Sequence, residues 1–342
     1  MENLRLWIDY IWGNVSTFLF DADTPGHKLL LMLVAIALFV VVMGAILLAV
    51  DKPKRIPNWV VTLGFAGPAV IALAFGLLYP ALRTVYASFL NRNGTAVVGL
   101  DNYVRAFTEP AFQVVLRNTA LWVLLVPTLA TLTGLIYAVL VDRTRFEKAA
   151  KVLIFLPMAI SLVGASIIWR FVYEVRGGSQ QQTGLLNQLI VMFGGEPYQF
   201  LINSPWNTLF LLVVLIWIQA GFAMTILSAA IKAIPDDIVE AATLDGLSGI
   251  KMFRYITVPS IRPALVVVLT TIAMTTLKVF DIVRTMTGGQ FNTSVVANEF
   301  YQQSFVRGDF GMGAALAVIL FVIVIPIIVY NVRQLRLSEE IR

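Results

Sequence analysis

The sequence contains no cysteine and a single histidine, His27, in 342 residues. A disulfide framework, a Cys-ligated metal site and a histidine cluster are therefore excluded. Charge is scarce as well: Asp, Glu, Lys and Arg make up only 13% of the chain, against 58% hydrophobic residues. A water-soluble core built from that mixture would leave large apolar surfaces in water, so the solvent it suits is lipid. No Gly-x-x-x-x-Gly-Lys-Ser/Thr phosphate loop occurs, so the chain has no nucleotide site of that kind and reads as no enzyme on its own. Low-complexity segments and short-period repeats are missing too, and with them the solenoid class.

What is present is a series of long apolar runs. A spanning helix needs roughly 20 mostly apolar residues, and such runs lie near 29–50, 60–89, 117–141, 152–173, 207–231, 260–283 and 312–332. The expected fold is an all-α polytopic membrane protein with about seven transmembrane helices. The net charge of +5 points to orientation rather than to nucleic acid, because Lys and Arg gather on one side when loops alternate. Lys52, Lys54, Arg55, Arg143, Arg145, Lys148, Lys151, Lys232, Lys251 and Arg254 fall together on that side. By the positive-inside rule it is cytoplasmic, which puts the N-terminus outside and the C-terminus inside.

Residues 1–28 hold Trp7, Tyr10, Trp12, Phe18 and Phe20 among Glu2, Asp9, Asp21 and Asp23. Asp9 interrupts what would be the apolar core of a signal peptide. Aromatics at this density suit a helix in the outer interface; a poorly ordered tail is the alternative. The spans then divide the chain into this segment, a span at 29–50, a second span with its outer loop at 51–116, a core at 117–335, and a tail at 336–342. Of the outer loops, 90–116 holds the turn formers Asn91, Asn93 and Gly94.

The longest cytoplasmic connection, 232–259, differs in kind. Ile234-Pro235-Asp236-Asp237 is a helix-start signal, with acids where the positive dipole end favours them. A short helix through Leu244 should end near Gly246, followed by a second helical piece from Ile250 to Tyr255. Within this loop stand Glu240-Ala241-Ala242, three residues, Gly246, nine residues, then Ile256-Thr257-Val258-Pro259. The pattern resembles the EAA loop of ABC importer permeases, with Val258 in the place of a leucine. The resemblance implies that this helix pair docks into a cleft on a separate ATPase subunit. Glu240 would offer a carboxylate, Ala241 and Ala242 close backbone approach, and Gly246 the angle between helices, with Ile256 and Pro259 leading into the next span. It also implies that ATP and Mg belong to two copies of that partner, and that this chain itself binds no cofactor and no metal.

Toward the C-terminus, Thr287-Gly288-Gly289-Gln290 followed by Thr293, Tyr301 and Phe305 resembles a loop of carbohydrate-uptake permeases, with Gln290 replacing their usual proline. Gly311-x-Gly313-Ala314-Ala315 is similar to the small-residue opening of their last helix. Lys-Ala-Ile-Pro-Asp-Asp at 232–237 and Leu277-Lys278-Val279-Phe280-Asp281 resemble the maltose and alpha-glucoside branch, on its MalF-like side. The family implies a six-helix permease core, here with one extra N-terminal span, in a bacterial inner membrane. It implies a second permease subunit in a heterodimer and an extracytoplasmic sugar-binding protein. The implied activity is alternating-access uptake of a sugar of the alpha-glucoside, maltose or malto-oligosaccharide, or trehalose type.

Polar residues inside spans are functional candidates by default, because an unpaired charge in hydrocarbon costs at least about 2.5 kcal/mol. In the run 260–283, Thr271, Thr275 and Lys278 recur at i, i+4 and i+7, with Met274 beside them and Asp281 one turn on. In the run 207–231, Ile218, Gln219 and Phe222 form another such face. Both stripes suit sugar hydroxyls and pyranose stacking, and lie where the maltose-permease resemblance implies the substrate cavity. The alternatives are a Lys278–Asp281 ion pair and threonines that bond back to helix carbonyls. Pro127 and Pro157 are expected to kink their spans, and Arg170 to snorkel to the interface. Two other classes remain to be weighed. One is an ABC permease for a non-sugar solute; the other is an ion-coupled secondary transporter, for which Asp281 is the one acidic residue suitably placed.

Overall fold

The computed structural model describes residues 24–51, 58–142, 144–177 and 181–340. The expected interfacial segment thus lies outside the described residues up to position 23. The described chain is all-helical apart from an isolated bridge between Leu90 and Val97, which closes the predicted turn at Gly94. Five of its helices are long and apolar enough to cross a membrane, and seven spans result when each of two bent pairs counts as one.

The chain divides into two units, Met1–Ala81 and Leu82–Arg342. The first contains α1 (Pro25–Asp51) and α2 (Asn58–Leu73), continued by a π turn at Ala74–Leu78 into α3 (Tyr79–Ala87), which runs on into the second. Leu38, Phe39 and Val41 of α1 are exposed, and no part of its most apolar stretch is buried. A helix apolar on every side has nothing to gain from water and is stable only in lipid.

The second unit opens with the short amphipathic α4 (Asp101–Thr108) and then α5 (Pro110–Val141), 32 residues long. It continues through α6 (Glu147–Phe155), α7 (Leu162–Val172), α8 (Leu185–Met192) and α9 (Trp206–Lys232). The helix pair α10 (Asp236–Leu244) and α11 (Gly249–Met252) follows, then a π turn at Phe253–Thr257 and α12 (Val258–Ser260). Last come α13 (Arg262–Leu277), α14 (Asp281–Met286), α15 (Val296–Tyr301) and α16 (Phe310–Glu340).

The core is the α5–α9 pair. Trp122, Val126, Ala130 and Ala138 of α5 share one buried cluster with Leu211, Leu215, Ala223, Met224 and Leu227 of α9. The helices approach closely at Gly134, where an added Cβ would overlap Ala223 Cβ and stand 2.7 Å from Met224 N. Small residues are what allow such approach where lipid gives no hydrophobic drive between helices.

Two apolar runs are not straight spans. The run 152–173 breaks between α6 and α7 at an angle of 103°. Pro157 lies in the tight turn at the break, and Ser161 then caps α7, its Oγ accepting from Gly164 N at 3.1 Å. Pro127, by contrast, stays inside a continuous α5. The run 260–283 begins at a bend of 69° between the 249–260 stretch and α13 and ends its helix at Leu277, with Lys278 as the C-cap. Lys278 and Asp281 are therefore not one turn apart on a single helix.

Overpacking the helix contact should be costly. Gly134→Leu is expected to destabilise the protein by about 1–3 kcal/mol or more, read as a lower thermal midpoint in detergent, whereas Leu124→Ala on an exposed face should leave it almost unmoved.

Candidate coupling site and substrate path

The loop between α9 and α13 forms the expected helix–turn–helix. Asp236 and Asp237 occupy the first turn of α10. Its end is a Schellman motif, with Leu247 N donating to Ala242 O at 2.9 Å and Gly246 N to Thr243 O at 3.0 Å. Gly246 has φ +82°, a backbone conformation that requires a residue without a Cβ. Glu240, Ala241 and Pro259 are exposed and Ile256 half-buried, whereas Ala242 faces inward at 5% exposure. Ala242 thus packs on its own chain and does not offer a surface for backbone approach. Two residues that motif reading passed over stand furthest out: Leu244 is 89% exposed and Ile250 84%.

Behind this loop lies an ion-pair cluster joining three helices. Asp142, the C-cap of α5, accepts from Ser228 Oγ of α9 at 2.7 and 2.9 Å and meets Lys151 Nζ of α6 at 2.5 Å. Lys151 also reaches Glu147 Oε1 at 2.9 Å and Ser228 Oγ at 2.6 Å. Lys232, the last residue of α9, pairs with Glu147. Glu147 lies ahead of the apolar run, and hydrogen bonds from Lys151 and then Lys232 hold its carboxyl at a pKa of about 2. Two carboxylates and two ammonium groups thus balance within one turn of the point where the chain leaves for α10.

The two expected path stripes are not equivalent. Ile218 is buried in the hydrophobic core and Gln219 is 9% exposed, leaving Phe222 half-buried as the accessible member of its set. The face of α13 is more open, with Thr271 and Met274 half-buried and Thr275 exposed. Thr275 Oγ1 donates to Thr271 O at 3.0 Å, the back-bond expected of a threonine in a span. Lys278 is exposed beside a groove of about 460 Å3 walled by Phe280, Phe300 and Tyr301. No ion pair joins Lys278 to Asp281 among the described residues. Arg170 does not snorkel freely: its Nη1 donates to Thr285 O at 3.2 Å, tying α7 to α14.

The model of the family described as binding-protein-dependent transport system inner membrane component matches residues 128–336, more than half of the chain and the whole stretch from mid-α5 to α16. The chain belongs to this family. The alpha-glucoside transport system permease protein AglF of Rhizobium meliloti is 46% identical over 83% of this chain and 85% of its own length. The osmoprotective compounds uptake permease protein GgtC of Synechocystis is 45% identical over 81% of this chain and all of its own. A bacterial alginate ABC transporter, solved with an alginate pentasaccharide-bound periplasmic protein, has the same fold at a TM-score of 0.69. It is 21% identical and is covered over 80% of this chain and 93% of its own. As a member of this transport family the chain is a multi-pass permease component, which leaves no place for the secondary-transporter reading.

The cluster's enclosed and exposed members should respond differently to mutation. Asp142→Asn removes the charge that Ser228 and Lys151 face and is expected to cost about 1–3 kcal/mol. Lys232→Met at a half-exposed site should cost no more than about 1 kcal/mol. Thermal unfolding of the purified protein in detergent compares the two.

Proposed function

We propose that this chain forms half of the transmembrane path of a binding-protein-dependent ABC importer for a sugar of the alpha-glucoside class, and that the helix pair α10–α11 couples it to ATP hydrolysis on separate subunits. The observation that carries the coupling assignment is the exposure of Leu244 and Ile250 on a folded loop outside the apolar runs. Large apolar side chains held out on a rigid helix–turn–helix, ringed by Glu240 and Asp245, suit insertion into another protein's cleft. The surface is incomplete by itself, and two copies of an ATPase subunit carrying ATP and Mg would complete it.

In this reading the α10–α11 loop is cytoplasmic, the N-terminus lies outside and the C-terminus inside, as the basic residues direct. A second permease subunit supplies the other half of the path, facing the open side of α13 where Thr271, Met274, Thr275 and Lys278 lie, with Phe222 of α9 contributing an aromatic edge. An extracytoplasmic binding protein delivers the sugar. ATP-driven closure of the ATPases moves α10–α11, and the bends at Pro157 and before α13 give the spans places to pivot. The sugar class rests on the alpha-glucoside relative and on the hydroxyl-bearing α13 face of Thr271 and Thr275. A second reading, uptake of an osmoprotective compound, is favoured by the cyanobacterial relative of nearly equal identity.

Two measurements test this. In the complex co-purified with its partner subunits, Glu240→Lys is expected to lower substrate-stimulated ATP hydrolysis at least tenfold and to weaken ATPase co-purification; unchanged assembly and uptake would remove the coupling assignment. Competition for uptake between maltose or trehalose and non-sugar osmoprotectants then decides the substrate class.

A further inference from the structure

At the end of α5 remote from the coupling loop, a cavity of about 740 Å3 opens between α4, the start of α5, the 289–294 loop and the stretch 299–309. Its volume falls within the range of small-molecule sites, roughly 300–1,000 Å3. The walls are polar and charge-balanced. Arg105 pairs with Glu109 at 2.9 Å and Asp309 at 3.6 Å, and Arg307 with Glu299 at 3.4 Å. Gln303 Nε2 donates to Glu299 Oε1 at 2.8 Å.

Into this cavity the chain displays two non-glycine residues in the left-handed region, which asparagine tolerates but a bulky residue such as Phe291 rarely adopts. Phe291 has φ 55° and Asn292 φ 61°, both left-handed, and neither is glycine. Such geometry persists only where the surroundings impose it, and it gathers at ligand-binding positions. Here two buried asparagines on the central helices impose it. Asn207 of α9 donates from Nδ2 to Phe291 O at 2.8 Å; Asn118 of α5 donates to Asn292 O at 2.6 Å and to Ser294 O at 3.0 Å. The segment beyond is locked in turn: Thr293, Val295 and Val296 are at most 1% exposed, and Val296 N donates to Thr119 Oγ1 at 2.9 Å. Phe291, 45% exposed, is left among the residues that line the cavity.

We propose that this cavity is an outer sugar subsite, distinct from the α13 face, with the Phe291 ring as stacking platform and Asn292, Gln303, Glu109 and Arg105 as partners for ring hydroxyls. The inference rests on the sugar reading above. An aromatic face beside planar amides, carboxylates and guanidinium groups suits a neutral polyol, which both donates and accepts hydrogen bonds. An anion would meet the carboxylates, and a cation the arginines. The pre-set loop lowers the ordering cost of binding, because the backbone that carries the ring is held in place before a ligand arrives. In the orientation of the reading above, the cavity lies on the outer side, where it would hold sugar released outside before it reaches the membrane interior.

The test uses the intact importer complex in nanodiscs without binding protein, with maltose and trehalose as NMR probes for saturation transfer from protein to sugar. Wild type is expected to transfer saturation to sugar ring protons; Phe291→Ala should reduce the signal at least fivefold, and Phe291→Trp should restore it. In parallel, Phe291→Ala should slow uptake five- to tenfold while the docking affinity of the loaded binding protein changes less than twofold. Equal signals in wild type and Phe291→Ala, no signal for a sugar that wild type does take up, or uptake by Phe291→Ala at the wild-type rate would overturn the subsite. A loss of docking with the sugar signal intact would overturn it in favour of a protein-docking surface. Failure of wild type to take up either sugar would instead defeat the sugar reading itself.

Discussion

The close contact of α5 with α9 at Gly134 is the constraint on which the rest of the second unit depends. With Gly134 against the Ala220–Met224 backbone, the two helices share a buried cluster along much of their length and offer neighbouring elements a single surface. Both ends of the pair are then fastened by polar groups from the same two helices. At one end Asp142 of α5 holds Ser228 of α9, with Lys151 and Glu147 of α6 drawn in. At the other, Asn118 of α5 and Asn207 of α9 grip the 291–294 backbone. Buried irregular backbone needs protein groups to satisfy it, and these asparagines do so.

This arrangement bears on how movement at one end could be felt at the other. α5 has 32 residues and so extends roughly 48 Å. Its Pro127 does not break it, while the neighbouring runs bend by 103° and 69°. A continuous, tightly packed pair is flanked by bent elements. The ion-pair cluster sits where α9 gives way to the α10–α11 loop, only Ala233, Ile234 and Pro235 separating Lys232 from α10. Little chain therefore separates α10 from the end of α9.

Much of this was legible in the sequence, and what was legible was local. The apolar runs, the acidic first turn of α10 and the Gly246 turn each depend on residues a few positions apart, and the structure has them where the sequence places them. The break after α6 is legible in part: Pro157 marks it, but Ser161, which caps the next helix, looks in the sequence like one more residue of an apolar run. The end of α13 was not legible, because Thr271, Thr275 and Lys278 keep helical spacing whether or not the helix continues past Leu277. Ile218 failed for another reason. Periodicity assigns a residue to a face but not to a neighbour, and that face of α9 is covered by the core. The clusters at both ends of α5 were out of reach altogether. Ser228 lies 86 residues from Asp142, Lys232 lies 85 from Glu147, and Asn118 lies 174 from Asn292.

The distribution of buried polar side chains follows the same division. On α13 the threonines satisfy themselves: Thr270, Thr275 and Thr276 each donate to a carbonyl one turn back, so they line a face without fixing a neighbour. On α5 and α9 the buried asparagines bond across the structure to backbone that has no other regular partner. Removing a self-bonded threonine leaves no donor or acceptor stranded, whereas removing Asn118 strands two carbonyls at once. By that criterion the α13 threonines bind their own helix and fix no neighbour, whereas the asparagines of the α5–α9 pair tie distant backbone to it.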